Sequence, residues 1–321
     1  MTATGRHDTA TGQHDTTGQD ATAQHDAAGQ HDTSRSAQTR PPRDADGAGE
    51  TQEARKRPRR RGAWNAVAII GALGVVAPCA FYAVTDAVSR TGSYASPDNG
   101  RAHPVSAVDV DAGVSRITVT SGPAGHVTVN GSLSWTMKRP VVEQTWDGDT
   151  LKVKTRCVGF VDRYLQNCQV DLALAVPAGV SLTVHGGSGE IKVHDLAGPV
   201  DLHGGSGGMK LYGLKGPVKA AVGSGELQAL QLASPEASLE AGSGTVEADF
   251  ATAPQHVKAR TGSGSVDITV PRDTRYRVTG HSGSGGRGIQ DELVDGTSDR
   301  VIDATTGSGS VNVGYPGYPG R

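Results

Sequence analysis

Aromatic side chains make up only 4% of this 321-residue chain. That scarcity disfavours a sugar-binding groove, which is ordinarily floored by aromatic platforms. Net positive charge is also lacking: the formal charge is -2, whereas binding a phosphate backbone needs a basic field, so nucleic acid is not expected as a partner. Cysteine occurs three times, with no Cys-x-x-Cys and no clustered histidine, which leaves no short-spaced ligand set for zinc. Large apolar residues are nearly missing from residues 1–62, which are rich in Thr, Gly, Gln, His, Asp and Ala. Such a stretch cannot bury enough surface to offset its ordering entropy and is expected to be disordered. Its His-Asp pairs at His7, His14, His25 and His31 read as low complexity rather than a metal site.

One long apolar run is present. Residues 63–84 are 22 residues without a charge, about 33 Å as a helix and long enough to cross a hydrocarbon core of about 30 Å. Directly before it stand Arg55, Lys56, Arg57, Arg59, Arg60 and Arg61. Charge of that density beside a span stays cytoplasmic, so the amino terminus is expected inside and the residues from about 90 onward outside. Trp64 and Tyr82 sit near the two ends, as interfacial rings prefer. The run is too long and starts too late for a cleaved signal peptide. Pro78 and the long preceding tail count against lipidation at Cys79. The expected localisation is a single-pass cell-membrane protein with its carboxy-terminal part extracellular.

The remaining cysteines, Cys157 and Cys168, are separated by ten residues. Cys157 closes a strand-like TLKVKTRC and Cys168 opens another, CQVDLALAV. At the facing ends of a hairpin in an oxidising compartment, a disulfide is the simplest reading. Closing that loop contributes on the order of 3 kcal/mol through the unfolded state.

Glycine is abundant, with 45 residues, about twice the usual share. Much of it lies in a repeat: Gly187-Ser188-Gly189, Gly205-Ser206-Gly207, Gly223-Ser224-Gly225, Gly242-Ser243-Gly244, Gly262-Ser263-Gly264, Gly283-Ser284-Gly285 and Gly307-Ser308-Gly309, at intervals of 18, 18, 19, 20, 21 and 24 residues. Apolar residues keep a fixed phase around the triplets. Ile191 and Val193, Met209 and Leu211, or Val266 and Ile268 follow; Leu182 and Val184, or Val200 and Leu202, precede. Steps of two on either side of a glycine turn spell strand, turn, strand with one face buried. A second punctuation, AGP, KGP, ASP and TAP before successive first strands, gives each coil another corner.

The expected fold is therefore mainly β: a β-solenoid or β-helix-like repeat domain preceded by one transmembrane helix and a disordered tail, with an antiparallel β-sandwich as the alternative. The division reads 1–62 disordered cytoplasmic tail with a polybasic end, 63–84 span, 85–104 linker, 105–180 opening and cap region with the disulfide hairpin, 181–313 repeat domain, and 314–321 flexible tail. Residues 286–299 read as a charged insertion in the sixth repeat, and insertions in solenoids often mark a binding face. Its Asp291, Glu292, Asp295 and Asp299 lack the ligand order of a calcium loop.

Two apparent motifs dissolve in this frame. Residues 204–208 match Gly-x-Ser-x-Gly, yet a nucleophile elbow needs a strand-to-helix turn with Asp and His partners. Residues 283–288 match Gly-x-Gly-x-x-Gly without a following helix to receive a pyrophosphate. No catalytic residue, cofactor or metal is expected.

Through VVEQTWDGDTLKVK, VDLALAVPAGVSLTVHGGSGEIKV and the Gly-Ser-Gly-x-apolar units, residues 105–315 resemble a bacterial β-strand-repeat family often labelled adhesin for its architecture. The resemblance implies a solenoid-like fold, an envelope location and no enzyme activity. The expected function is a membrane-anchored surface module, structural or adhesin-like, with a cell-envelope or protein partner. The alternative is an envelope-stress sensing accessory.

Overall fold

In a computed structural model of the chain, the described residues are Gly71, Gly74, Val76, 89–158 and 168–318. All belong to the unit Arg61–Arg321. The tail 1–62 and the basic run Arg55–Arg61 lie outside the described residues. So does the expected span 63–84, apart from the helical Gly71, Gly74 and Val76. Among the described residues no helix is long and apolar enough to cross a membrane.

The first third of the described chain runs through β1 (Arg90–Ala95), β2 (Ala107–Gly113), β3 (Arg116–Gly122), β4 (Thr128–Trp135), β5 (Val141–Asp147), β6 (Thr150–Arg156) and β7 (Gln169–Pro177). Seven strand pairs follow, each folded about one Gly-Ser-Gly: β8 (Ser181–Ser188) with β9 (Ile191–His194), β10 (Val200–Ser206) with β11 (Met209–Tyr212), and β12 (Val218–Ser224) with β13 (Leu227–Leu232). Next come β14 (Glu236–Ser243) with β15 (Val246–Phe250), and β16 (His256–Ser263) with β17 (Val266–Thr269). The last pairs are β18 (Arg277–Ser284) with β19 (Arg287–Ile289), and β20 (Val301–Ser308) with β21 (Val311–Gly314).

First strands build one sheet and second strands the other, each pairing in parallel with the next coil. This is a solenoid-like stack, not the antiparallel sandwich. Period two puts Leu182, Val184, Ile191, Val193 and their counterparts inward, and in every pair but β18 with β19 they are buried. A third side, unread in the sequence, is closed by Leu196, Leu214, Leu232 and Phe250 just before the proline corners. Their backbones step from coil to coil through Lys215 N–H to Leu196 O, Ala233 N–H to Leu214 O and Ala251 N–H to Leu232 O.

The stack is not in sequence order. In both sheets the seventh unit lies between the fifth and the sixth: β20 pairs with β16 and β18, and β21 with β17 and β19. The outermost coil is thus the sixth, and its composition explains the choice. Where inner coils place Ala304, Thr306 and Val311, it places Gly280, Ser282 and Arg287 at the paired positions. A polar end coil can face water; the apolar seventh could not.

The same inversion occurs at the other end. β2 and β3 lie between β8/β9 and β6/β7, so residues 105–180 contribute two more coils to the stack rather than a cap alone. The cap proper is antiparallel: β5 on β6, β4 on β7, and β1 on β4. Residues 90–95 of the expected linker are therefore the edge strand β1. Trp135 and Trp146 are partly buried and packed against the core at this end.

Residues 286–299 also differ from a surface insertion. They hold β19, a 3-10 turn at Asp291–Leu293 and the return from the end coil to the inner one, with Leu293 fully buried. Tyr315 of the expected flexible tail packs as well: it is 9% exposed, and its hydroxyl donates to the carbonyl of Thr274. Together with Tyr276, which is fully buried, these side chains close the end of the core.

Gly225 sits at φ 137, and a Cβ there would collide with the carbonyl oxygen of Gly207 on the adjacent coil. Gly225→Ala is expected to destabilise the fold by roughly 3 kcal/mol or more, and Ser224→Ala, on an exposed side chain, by within about 0.5 kcal/mol. Urea melts of both variants check this; equal midpoints would contradict the stacking argument.

Candidate functional site

The seven Gly-Ser-Gly corners fall in one column. Ser188, Ser206, Ser224, Ser243, Ser263, Ser308 and Ser284 pair strand to strand without a slip. All seven are exposed. At about 4.8 Å per strand the column presents a regular line of hydroxyls, each flanked by two glycines. The glycines are required by the approach of adjacent coils: a Cβ on Gly205 would lie 2.7 Å from the carbonyl oxygen of Gly187. The corner backbone is satisfied from coil to coil. Gly189, Gly207, Gly225 and Gly244 donate N–H to the carbonyls of Ser206, Ser224, Ser243 and Ser263. Just inside, Thr261 donates to Gly244 O, Thr306 to Gly264 O and Ser282 to Gly309 O.

Two further corners continue the column. In the coil of β2 and β3, Gly113, Val114 and Ser115 take the triplet's place: the missing Cβ atoms of Gly187 and Gly189 face the carbonyls of Gly113 and Ser115. In the coil of β6 and β7, Cys157 and Cys168 stand at the corner and are disulfide-bonded, with Cα atoms 6.1 Å apart. These strands belong to opposite sheets, so the bridge closes a coil corner rather than a hairpin.

Around this bridge opens a cavity of about 650 Å³, lined by both cysteines, Arg116, Arg156, Gln169, Asp171 and Glu190 among others. Its floor holds a buried polar pair, Ser115 Oγ to Thr155 Oγ1 at 2.9 Å, and Thr155 also donates to Ala112 O. Arg116 reaches Asp171 at 3.1 Å and Glu190 at 3.7 Å. Glu190 also meets Lys192 at 2.8 Å and Lys210 at 3.1 Å. The hydrogen bond from Lys192, with that from Lys210, holds its carboxyl below the usual carboxylate range. The arrangement offers a mixed-charge pocket with donors and acceptors on the rim. Sequence reasoning missed it, because Arg116 and Glu190 are 74 positions apart and meet only through the pairing of β3 with β9.

The remaining sequence candidates separate from this site. Ser206 of the apparent elbow is one member of the corner column, and the corner leads into β11 rather than a helix. His203 lies on the outer face, 2.9 Å from Asp201 and stacked on His185 at 5.3 Å between ring centroids. In the acidic loop, Asp295 accepts from the backbone and hydroxyl of Thr297, which holds its carboxyl low. That is a turn-stabilising role. Among the described residues no three His, Cys, Asp or Glu side chains gather as a metal site.

Residues 160–314 match the model of the Toastrack DUF4097 family. No curated protein matches the chain. Among solved structures, a candidate cell adhesion protein from Clostridium sporogenes is 10% identical over 71% of this chain and 99% of its own, with a TM-score of 0.33. A candidate adhesin from Bacteroides fragilis is 12% identical over 70% and 96%, with a TM-score of 0.38. A candidate lipid binding protein from Parabacteroides distasonis is 12% identical over the same shares, with a TM-score of 0.30.

Two measurements check this geometry. Replacing both Cys157 and Cys168 by Ser is expected to cost on the order of 3 kcal/mol in urea melts, while circular dichroism keeps its β signature; unchanged stability would deny the bridge a structural role. The lowered carboxyl of Glu190 contributes stability that is present above its unfolded value and lost as pH falls through the folded one. Wild type should therefore lose stability between about pH 5 and 3 to a degree that Glu190→Gln does not; parallel curves would remove Glu190 from the balance.

Proposed function

We propose that the chain is a membrane-anchored cell-surface β-repeat module that binds a cell-envelope or protein partner and performs no catalysis. The observation that carries this reading is the pairing of a uniform exposed corner column with a polar cavity at its end. Both are rigid, since every coil is clamped by parallel ladders on two sides. Rigid presentation of a repeated surface lowers the ordering cost of binding a long or repetitive partner. The side chains that meet in the cavity are suited to recognition: two guanidinium groups, two carboxylates and an amide surround a buried Ser–Thr pair.

Anchoring is supported by the sequence. The charge-free run at 63–84 directly follows six basic residues, which orients a span with its amino terminus inside. The disulfide agrees with an oxidising compartment.

Two experiments test the proposal. A carboxy-terminal alkaline phosphatase fusion to the full chain is expected to be active and a fluorescent-protein fusion dark; the opposite pair of results would reverse the topology. The tagged full chain should enrich a defined partner from cell-wall fractions or lysate, and Arg116→Glu together with Arg156→Glu should cut that capture by about tenfold or more. Capture that these changes leave intact would move the binding site away from the cavity.

A further inference from the structure

The corner column ends in a crossing that contains no glycine. Ser134, near the end of β4, pairs with Gln169, and Val141, at the start of β5, pairs with Arg156. The connection Thr136-Met137-Lys138-Arg139-Pro140 therefore passes between the two sheets one strand further out than the Cys157–Cys168 bridge. Arg90, the first residue of β1, pairs with Trp135, so the chain enters its first strand beside this same crossing.

The side chains here differ from those of the other corners. Met137 is 64% exposed and Val141 41%. Trp135 packs partly against the core, and the Arg139 guanidinium lies 5.6 Å from its ring centroid while donating to the carbonyl of Ser93 at 3.0 Å. Both partners are neutral, so they fix the guanidinium and leave its charge in place. Arg90 and Lys138 are exposed on the same margin. Glu143 on β5 pairs with Arg156 at 3.2 Å, whereas Asp98, Asp147 and Asp149 lie at the far ends of β1 and β5. One exposed methionine needs no explanation. An apolar tip with an indole and arginines behind it is the composition of a segment at a membrane interface.

The chain's own spacing names the occupant. The charge-free run ends at residue 84, six positions before Arg90. Six residues span at most about 20 Å, of which about 6 Å is used in crossing a headgroup layer. Trp135 stands one strand spacing of about 5 Å from Arg90. The end coil at β19 lies nine strands from β4 in the same sheet, roughly 40 Å away. A tether this short holds the basic, apolar crossing against the bilayer and leaves the far end coil in solvent. We propose that residues 135–141, with Arg90, rest on an anionic lipid surface: Met137 enters the headgroup layer, and Arg90 and Arg139 meet lipid phosphates. The stack then stands upright, with the serine column running away from the bilayer. The inference rests on the membrane anchor proposed above and is independent of the cavity.

The test uses the full chain with Cys79→Ser, reconstituted in vesicles of phosphatidylcholine and phosphatidylglycerol. A fluorophore on Met137→Cys should be quenched by spin-labelled headgroups at least about threefold more strongly than one on Ser284→Cys, at the far end coil. Lys138→Cys supplies a second probe on the same crossing, and circular dichroism confirms the β fold of each variant. Arg90→Glu should shift the docked-to-undocked ratio read at position 137 by about fivefold or more toward undocked. Vesicles of phosphatidylcholine alone should shift it in the same direction. A carbonate wash separates this inference from the anchor beneath it. A chain stripped from the vesicles by the wash overturns the anchor and this inference with it. A chain that resists the wash but is quenched equally at 137 and 284 overturns this inference alone. Quenching at 137 that ignores both Arg90→Glu and lipid charge overturns it as well.

Discussion

At the Gly-Ser-Gly corners adjacent coils approach backbone to backbone. Successive coils must stand one strand spacing apart at the sharpest bend of each coil, and there the carbonyl of one glycine occupies the space a Cβ on the next would take. Because the corners cannot be filled, they hold a single register. Because they hold register, the flanking strands pair residue for residue in both sheets. The alternation of apolar and polar residues then fixes which side chains enter the core and which line up outside. The exposed serine column and the cavity beside the disulfide both follow from that one constraint.

Stacked coils have two open ends, and each is handled by taking the chain out of order. The first and the last coils are buried inside the stack, while their sequence neighbours lie outermost. Fraying from either end of the repeat domain therefore requires two ladders to open rather than one. At one end the exposed coil is made polar by Gly280, Ser282 and Arg287, which oppose the addition of another coil. At the other end, antiparallel strands cover the edge, and the disulfide stands where a triplet would otherwise turn the chain.

Much of this was legible without coordinates. Regular Gly-Ser-Gly spacing and period-two apolar residues identify parallel coils, and nearly every apolar position so named is buried. The failures came from positions that lack the triplet. Gly113-Val114-Ser115 turns one coil and the Cys157–Cys168 bridge closes another without it, so 105–180 read as a cap although four of its six strands, β2, β3, β6 and β7, belong to the stack. The end coil carried a signal that counting triplets ignored: around Gly283 alone, each in-phase pair keeps one apolar residue and has Gly280 or Arg287 as the other. The cavity was illegible because Arg116, Arg156 and Glu190 come from three separate coils, and no local pattern links them.

By itself the sequence determined the class of structure: which residues turn, which are buried and which two thiols pair. Those are local matters, set by the steric freedom of glycine and the two-residue period of a strand. Only the tertiary structure decided the order of the coils, the corner occupied by the disulfide and the neighbours of each outward side chain. Neighbours across coils are separated by about 18 residues or more in the chain, and what brings them together is the energy of closing two ends of a stack, which no single repeat contains.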